Sequence, residues 1–293
     1  MSHRVTPPVA RKGYHWANRI RGYLHSHILM RLSGLYCRMF SIRAESGVFP
    51  LPFGLLLKWT DGTREEEALA MMVARAMGLP VPRFLSYGHH DHELPGSILM
   101  TRIPGVTLDT VMRSLSESEL STIATELENY IQHMRSFASP YGSSVCGVDG
   151  GSIRSPRVSG RLIDPSPDLQ SFHHELLVPA SIRWWVGKED RFRQHVATYE
   201  KMTNMPHSIV FTHGDLMHHN IMVQDGHITG IIDWETAGWL PEYWEFTTAL
   251  RGPKCHQEPP WRTLMRSLPS YHYDTEYDCE WSLWQLTQDS FGY

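Results

Sequence analysis

The 293-residue sequence is 41% hydrophobic and 20% charged, with a net charge of -4 and four cysteines. Such a chain can bury a sizeable core in one large domain or two lobes, which excludes global disorder, and its mild acidity excludes a dedicated nucleic-acid binder. No cysteine lies in a C-x-x-C pair, and no apolar run approaches the ~18 residues of a membrane-spanning helix, so thiols without metal and no integral membrane segment are expected.

Charge is uneven along the chain. Residues 1–60 hold nine Lys/Arg and one acid, Glu45, for a net of +8, against -12 for the remainder. Residues 1–12 contain Pro7 and Pro8 and are expected to fray. Ile20, Tyr23, Leu24, Ile28, Leu32 and Leu35 recur near helical spacing, so a helical extension over 13–39 is expected to pack its apolar stripe on the first lobe. The acid-free basic start is shared by organellar transit peptides and by membrane-surface helices, which stand as alternatives to a cytoplasmic protein.

Phe53–Trp59 is short, apolar and bounded by Pro52 and Thr60-Asp61-Gly62, which predicts a strand. A helix follows, with Thr63 and Glu66 in a capping-box pattern and Gly78 and Pro80 beyond its end. Ser97–Thr101 predicts another strand, and Pro104-Gly105 marks a hinge. Residues 117–137 form a helical pattern with Leu120, Ile123, Leu127, Tyr130, Ile131 and Met134 on one side. Residues 139–170 are rich in Gly, Ser and Pro and predict a long loop region, and 171–203 are helical again. Ser208–Thr212, Ile221–Val223 and Ile228–Ile232 predict short strands, and helix and loop follow Pro259.

The chemistry-bearing sequence is His213-Gly214-Asp215-Leu216-Met217-His218-His219-Asn220, then Ile231-Ile232-Asp233-Trp234-Glu235. Between them Asp225-Gly226 is a strong hairpin-turn signal. With that turn, Gln224 faces His227, Val223 faces Ile228 and Asn220 faces Ile231, which carries Asp233 to the same open end. Carboxylates brought together repel unless a cation uses them, and Mg²⁺ favours one or two protein oxygens plus substrate phosphates. An Asp followed five residues later by an Asn is the kinase catalytic-loop spacing.

These segments resemble the aminoglycoside phosphotransferase-like family of kinase-like small-molecule phosphotransferases, in a branch abundant in fungi. The resemblance rests on FTHGDLMHHNIMV, GIIDWETAGWLPEYWEF, GLPVP, ILMTRIPG and LPFGLLLKW, and spans about residue 35 to the C-terminus. It implies an α+β, bilobal protein-kinase-like fold. The small lobe, 1–102, would hold an antiparallel sheet plus helix, and the larger, mainly helical lobe, 103–293, the acceptor. It also implies an Mg²⁺-dependent transfer from ATP, with GTP as the alternative, to a hydroxyl of a small molecule.

By the same resemblance Asp215 is the catalytic Asp, His213 braces its loop, and Asn220 and Asp233 are the metal ligands. Lys58 holds the nucleotide phosphates and pairs with a Glu on the next helix. Glu67 fits the spacing best, with Glu65 and Glu66 as neighbours in contention. Met100, Thr101 and Arg102 lie at the adenine hinge. The chain departs from kinases in lacking a G-x-G-x-x-G before Lys58, where Ser46-Gly47 and Gly54 stand among prolines.

Other residues read more plainly. His89, His90 and His92 with Asp91 are expected to be solvated, with metal binding as the alternative. His218 and His219 are expected on the loop surface, with direct substrate contact as the alternative. Trp239, Tyr243 and Trp244 are expected in the core, with a substrate platform as the alternative. Glu235 and Glu242 are expected to pair with buried arginines. The acids of 274–280 are expected on a solvated face, with attraction of a cationic substrate as the alternative. Only nine positions separate Asp233 from Glu242, which leaves little room for a protein kinase's activation segment. A nucleotide-binding pseudokinase and a kinase scaffold recruited for other chemistry stand as the alternatives.

Overall fold

The computed structural model describes residues 5–43, 46–90, 95–155, 157, 162–251 and 259–287. In chain order, α1 (His15–Leu24) runs through a π-turn (His25–Leu29) into α2 (Met30–Phe40). Then come β1 (Val48–Leu51), β2 (Leu55–Lys58), α3 (Glu65–Ala76), β3 (Phe84–Gly88), β4 (Ser97–Thr101), β5 (Val106–Thr107) and α4 (Leu108–Val111). They are followed by α5 (Glu117–Arg135), β6 (Cys146–Gly147), β7 (Ile153–Arg154), β8 (Leu162–Ile163), α6 (Leu169–Leu177), α7 (Glu189–Tyr199) and β9 (Ile209–Thr212). The chain ends through β10 (Ile221–Gln224), β11 (His227–Ile231), β12 (Gly238–Pro241), α8 (Trp244–Ala249), α9 (Pro259–Ser267) and α10 (Asp274–Thr287). The class is α+β, as expected.

Two units form. One takes residues 8–108 together with 219–235, the other 109–218 together with 236 onward and the first residues of the chain. In the first, β1-β2-β4-β3 make an antiparallel sheet and β11-β10-β5 a second, smaller one. α3 carries Ala68, Leu69, Ala70, Met71, Val73 and Ala74 into this unit's core. β1 and β2 close through Pro52-Phe53-Gly54, with Phe53 and Gly54 both at positive φ, so the expected strand from Phe53 begins at Leu55 instead. Thr63 does not cap α3. Its hydroxyl is engaged by Thr60 N–H and the Thr60 hydroxyl in the preceding turn, and Arg64 is the N-cap.

The N-terminal helices pack against β3 and β1 in the same unit, but not by the expected face. Asn18, Gly22, His25 and Ser33 are buried, whereas Ile20, Tyr23, Leu24, Ile28, Leu32 and Leu35 are exposed. Small size explains the docking: a Cβ on Gly22 would lie 2.1 Å from the His89 carbonyl oxygen, and one on Gly88 would lie 2.8 Å from Gly22 Cα. His25 then hydrogen-bonds Ser97 Oγ at 2.7 Å and Ser86 Oγ at 3.0 Å. The backbones approach too closely for an apolar layer between them.

In the second unit α5 starts with a reciprocal Ser116–Glu119 capping box and buries Ile123, Leu127, Ile131 and Met134. β6-β12-β9 form its sheet. Trp239, Tyr243, Trp244, Phe246 and Trp261 fill its core, as expected for the first three. Arg157 is buried among them, donating to Glu280, the Trp244 carbonyl and the hydroxyls of Thr247 and Thr248, with its guanidinium 3.7 Å from the Trp244 ring centroid. A buried charge persists only when paired and hydrogen-bonded. Glu280 therefore belongs to the core, not to the solvated face expected for 274–280; Asp274 and Asp278 do stay exposed. Cys37, Cys146 and Cys279 are free thiols, and Cys255 lies outside the described residues. Among the described residues, no helix is long and apolar enough to cross a membrane.

Candidate functional site

The β2 strand ends in Lys58, and α3 begins seven residues later with three consecutive acids. Helical geometry lets one of the three face the sheet, and it is Glu67. Lys58 Nζ lies 2.8 Å from Glu67 Oε1, both side chains being buried. Glu65 instead accepts from Gly13 N–H and Asn18, and Glu66 pairs with Lys12.

The Lys58 ammonium also donates to Asp233 Oδ1 at 2.7 Å. Burial works against that charge, but the carboxylates of Glu67 and Asp233 outweigh it and raise the Lys58 pKa above its ordinary value. Burial raises the pKa of Glu67; Lys58 opposes the rise and the Asp233 charge adds to it.

Asp233 reaches this position from the β10–β11 hairpin. The Asp225-Gly226 turn forms as expected, both residues at positive φ, and Gln224 pairs with His227 and Val223 with Ile228. A bulge then intervenes: Met222 faces Gly230 and Ile221 faces Ile231, so the expected Asn220–Ile231 pair is displaced by one residue. Thr229 sits at the extra position and donates to the Pro104 carbonyl. After the bulge, Ile232 N–H donates to the Asn220 carbonyl at 2.9 Å, and Ile231 N–H to the carbonyl of Pro80 in GLPVP. Asp233 follows at φ 63°, a left-handed conformation disfavoured for a residue with a side chain.

Carboxylate oxygens of Glu67, Asp233 and Glu235 lie within 4.8 Å of one another. Among the described residues, Glu67 Oε2 is buried with no hydrogen-bond partner. Hard oxygen donors around an orphaned carboxylate oxygen suit a small divalent cation, so the residues present fit Mg²⁺. Glu235 lies against the Thr60-Asp61-Gly62 turn, where a Cβ on Gly62 would come within 1.9 Å of its Oε2. A side chain at position 62 would oblige the Glu235 carboxylate to shift.

The second unit holds the loop that bears Asp215. His213 is fully buried; its Nδ1 accepts from Asp215 N–H at 3.3 Å and its carbonyl accepts from the Thr236 hydroxyl at 2.9 Å. Gly214 is at φ 84°, and a Cβ there would lie 2.4 Å from the Thr236 carbonyl oxygen. The residue that sequence reasoning missed is Glu245. Its buried carboxylate accepts three backbone N–H groups, from His213 at 2.8 Å, Gly214 at 3.1 Å and Leu216 at 2.9 Å. The signal was a lone acid inside the apolar run Tyr243-Trp244-Glu245-Phe246, which burial obliges to find donors. Glu242 meets the half-buried Arg135, which donates to its backbone carbonyl, while its carboxylate accepts Ser208 N–H and approaches His207 at 3.7 Å. His207 first, and the charge of Arg135 with it, lower its carboxyl pKa.

His218 is not on the surface: it is buried against Trp261, at 5.3 Å between rings, while His219 is exposed. His90 stacks on Trp59 at 4.0 Å and bonds Ser97, so it is not a solvated loop histidine; Asp91 and His92 lie outside the described residues. At the segment expected to face adenine, Met100 and Thr101 close β4 and Arg102 follows. Thr101 N–H donates to the Arg83 carbonyl and Arg102 N–H to the Gly54 carbonyl. Phe53, 97% exposed, tips the hairpin that stands where kinases carry a glycine-rich loop.

Comparison with known proteins bears on the family and the fold. The sequence profile described as "Phosphotransferase enzyme family" matches residues 52–264. The fold resembles the GDP and kanamycin complex of APH(2")-IIia at a TM-score of 0.52 and 12% identity, over 87% of this chain and 86% of that one. It also resembles the aminoglycoside-3'-phosphotransferase of type VIII at a TM-score of 0.51 and 15% identity, over 91% of this chain and 100% of that one. Comparison with curated proteins gives no match.

Proposed function

The chain belongs to the phosphotransferase enzyme family, and from that premise we propose that it moves the γ-phosphate of ATP, or of GTP, to a hydroxyl of a small molecule. The observation that carries the reading is the Lys58 ammonium, buried between Glu67 and Asp233. Such a cation is held in place by one buried carboxylate and meets a second that is 40% exposed. An entering phosphate competes with Asp233 for Lys58 Nζ while Glu67 keeps the lysine in position. That competition frees Asp233 from Lys58; Asp233 and Asn220 are the residues that would hold Mg²⁺, with Glu235 a nearby carboxylate. The ion, when bound, neutralises phosphate charge. Met100, Thr101 and Arg102 are proposed to line the base through groups other than the two N–H donors already engaged.

Asp215 is proposed to orient the acceptor hydroxyl and take its proton. The acceptor oxygen then forms a bond to the γ-phosphorus, the bond from that phosphorus to the β-phosphate oxygen breaks, and the nucleoside diphosphate leaves. Such transfers pass through a loose transition state, so positioning and charge dominate. His213, Gly214 and Glu245 serve positioning, by fixing the backbone on both sides of Asp215.

Release of ADP or GDP by the purified chain with Mg²⁺, across a panel of hydroxylated metabolites and aminoglycosides, tests the proposal. An acceptor-dependent signal that falls about 10²-fold or more in Asp215→Asn, with nucleotide affinity retained, is expected. Nucleotide binding with no acceptor-dependent release across the panel would favour a binding module instead.

A further inference from the structure

The N-terminal helices are inside out. Their polar and small residues, Asn18, Gly22, His25 and Ser33, face the protein, and their large apolar residues face solvent. Trp16 is 66% exposed and Leu35 61%, and Ile20, Tyr23, Leu24, Ile28, Leu32 and Met39 share their exposure. Contiguous exposed apolar surface of this kind marks an interaction site.

The π-turn at His25–Leu29 keeps the two faces aligned. From His25 to Ser33 an uninterrupted α-helix would drift by about 80°. One extra residue in the π-turn absorbs most of that drift. Both the inward polar row and the outward apolar stripe therefore continue from α1 into α2.

Charge identifies the occupant. From residue 5 to 43 there is no acid, and Arg11, Lys12, Arg19, Arg21, Arg31, Arg38 and Arg43 are all exposed. Counting about 3.6 residues per turn, and one residue for the π-turn, Arg19, Arg31 and Arg38 fall on one flank of the apolar stripe. A second protein would have to present a matching acidic rim. A bilayer with anionic headgroups offers negative charge beside an apolar interior along the whole helix. Trp16 and Tyr23, apolar with one polar tip, suit the boundary between the two.

We propose that residues 14–40 are a docking surface for anionic phospholipid membranes, holding the protein in the headgroup plane without a spanning segment. The surface lies outside the residues proposed for phosphoryl transfer, so its failure and the failure of that reading are separable.

The test is flotation of the full chain with phosphatidylcholine vesicles and with vesicles that also contain phosphatidylserine. Binding to the second and not the first is expected, weakening as salt rises. The pair Ile28→Ser and Leu35→Ser, both exposed, is expected to cut vesicle affinity about tenfold or more. Arg31→Gln and Arg38→Gln are each expected to cut it about fivefold. Melting temperature and nucleotide turnover should match the parent in all of them. A parent protein that does not float with phosphatidylserine vesicles overturns the proposal, as does undiminished binding by the serine pair. Sedimentation showing a dimer that the serine pair dissolves, without vesicle binding, would give the face to a second copy of the chain.

Discussion

Lys58 donates a 2.7 Å hydrogen bond to Asp233 across 175 residues of sequence. The strand that bears the lysine and the hairpin that bears the acid lie in one unit, so residues distant in the chain share one charge system with Glu67. This gives the first prediction. In a double-mutant cycle on nucleotide affinity, Lys58→Met and Glu67→Gln should couple by about 1 kcal/mol or more. Glu65→Gln and Glu66→Gln should show no coupling with Lys58, because their carboxylates are engaged at Gly13, Asn18 and Lys12. Coupling through either neighbour would break the assignment.

Asp233→Ala should lose Mg²⁺-dependent nucleotide binding in calorimetry while still binding nucleotide weakly without the ion. The substitution removes the partly exposed carboxylate yet leaves Lys58 paired with Glu67. An Mg²⁺ dependence equal to that of the parent would take Asp233 out of the metal site.

Glu245→Gln leaves one oxygen to accept N–H groups that both carboxylate oxygens now serve. Its amide nitrogen would face a backbone donor. A stability loss of about 1–3 kcal/mol is expected in denaturant unfolding. The remaining folded enzyme should show a lower kcat with little change in KM for nucleotide, because the loop of Asp215 is displaced and Lys58, proposed to hold the nucleotide, is not. A kcat equal to the parent's would confine Glu245 to stability.

His25 sets a pH dependence. Burial, with His90 and Arg21 adding repulsion, lowers its pKa to about 4 from 6.5. Between those values the folded state binds fewer protons than the unfolded one. The stability is therefore fully present above pH 6.5 and is lost as pH falls through 4, by no more than about 3 kcal/mol. His173, buried beside His207, shifts the same way and adds to the trend. Melting curves from pH 7 to 4 should fall less steeply for His25→Gln than for the parent, and equal slopes would rule His25 out as a source.

The sequence alone determined the local features whose physics is local. Asp225-Gly226 closes a hairpin because a tight turn needs two left-handed residues, and Ser97–Thr101 forms a strand at its expected bounds. The motifs around Asp215, Asn220 and Asp233 pointed to the family because their spacing can be read within one stretch of chain. Tertiary structure decided what depended on long-range packing. Among three adjacent glutamates the spacing favoured Glu67 without excluding its neighbours, and the orientation of α3 against β2 selects it. The bulge at Thr229 moved Asn220 by one residue because a contact to Pro104 lies outside the hairpin. Glu245 became the support of the Asp215 loop only when α8 was packed beneath that loop's amides. The apolar stripe of residues 20–35 turned outward because Gly22 and Gly88 let two backbones meet, and periodicity shows which residues share a face without showing which face is buried.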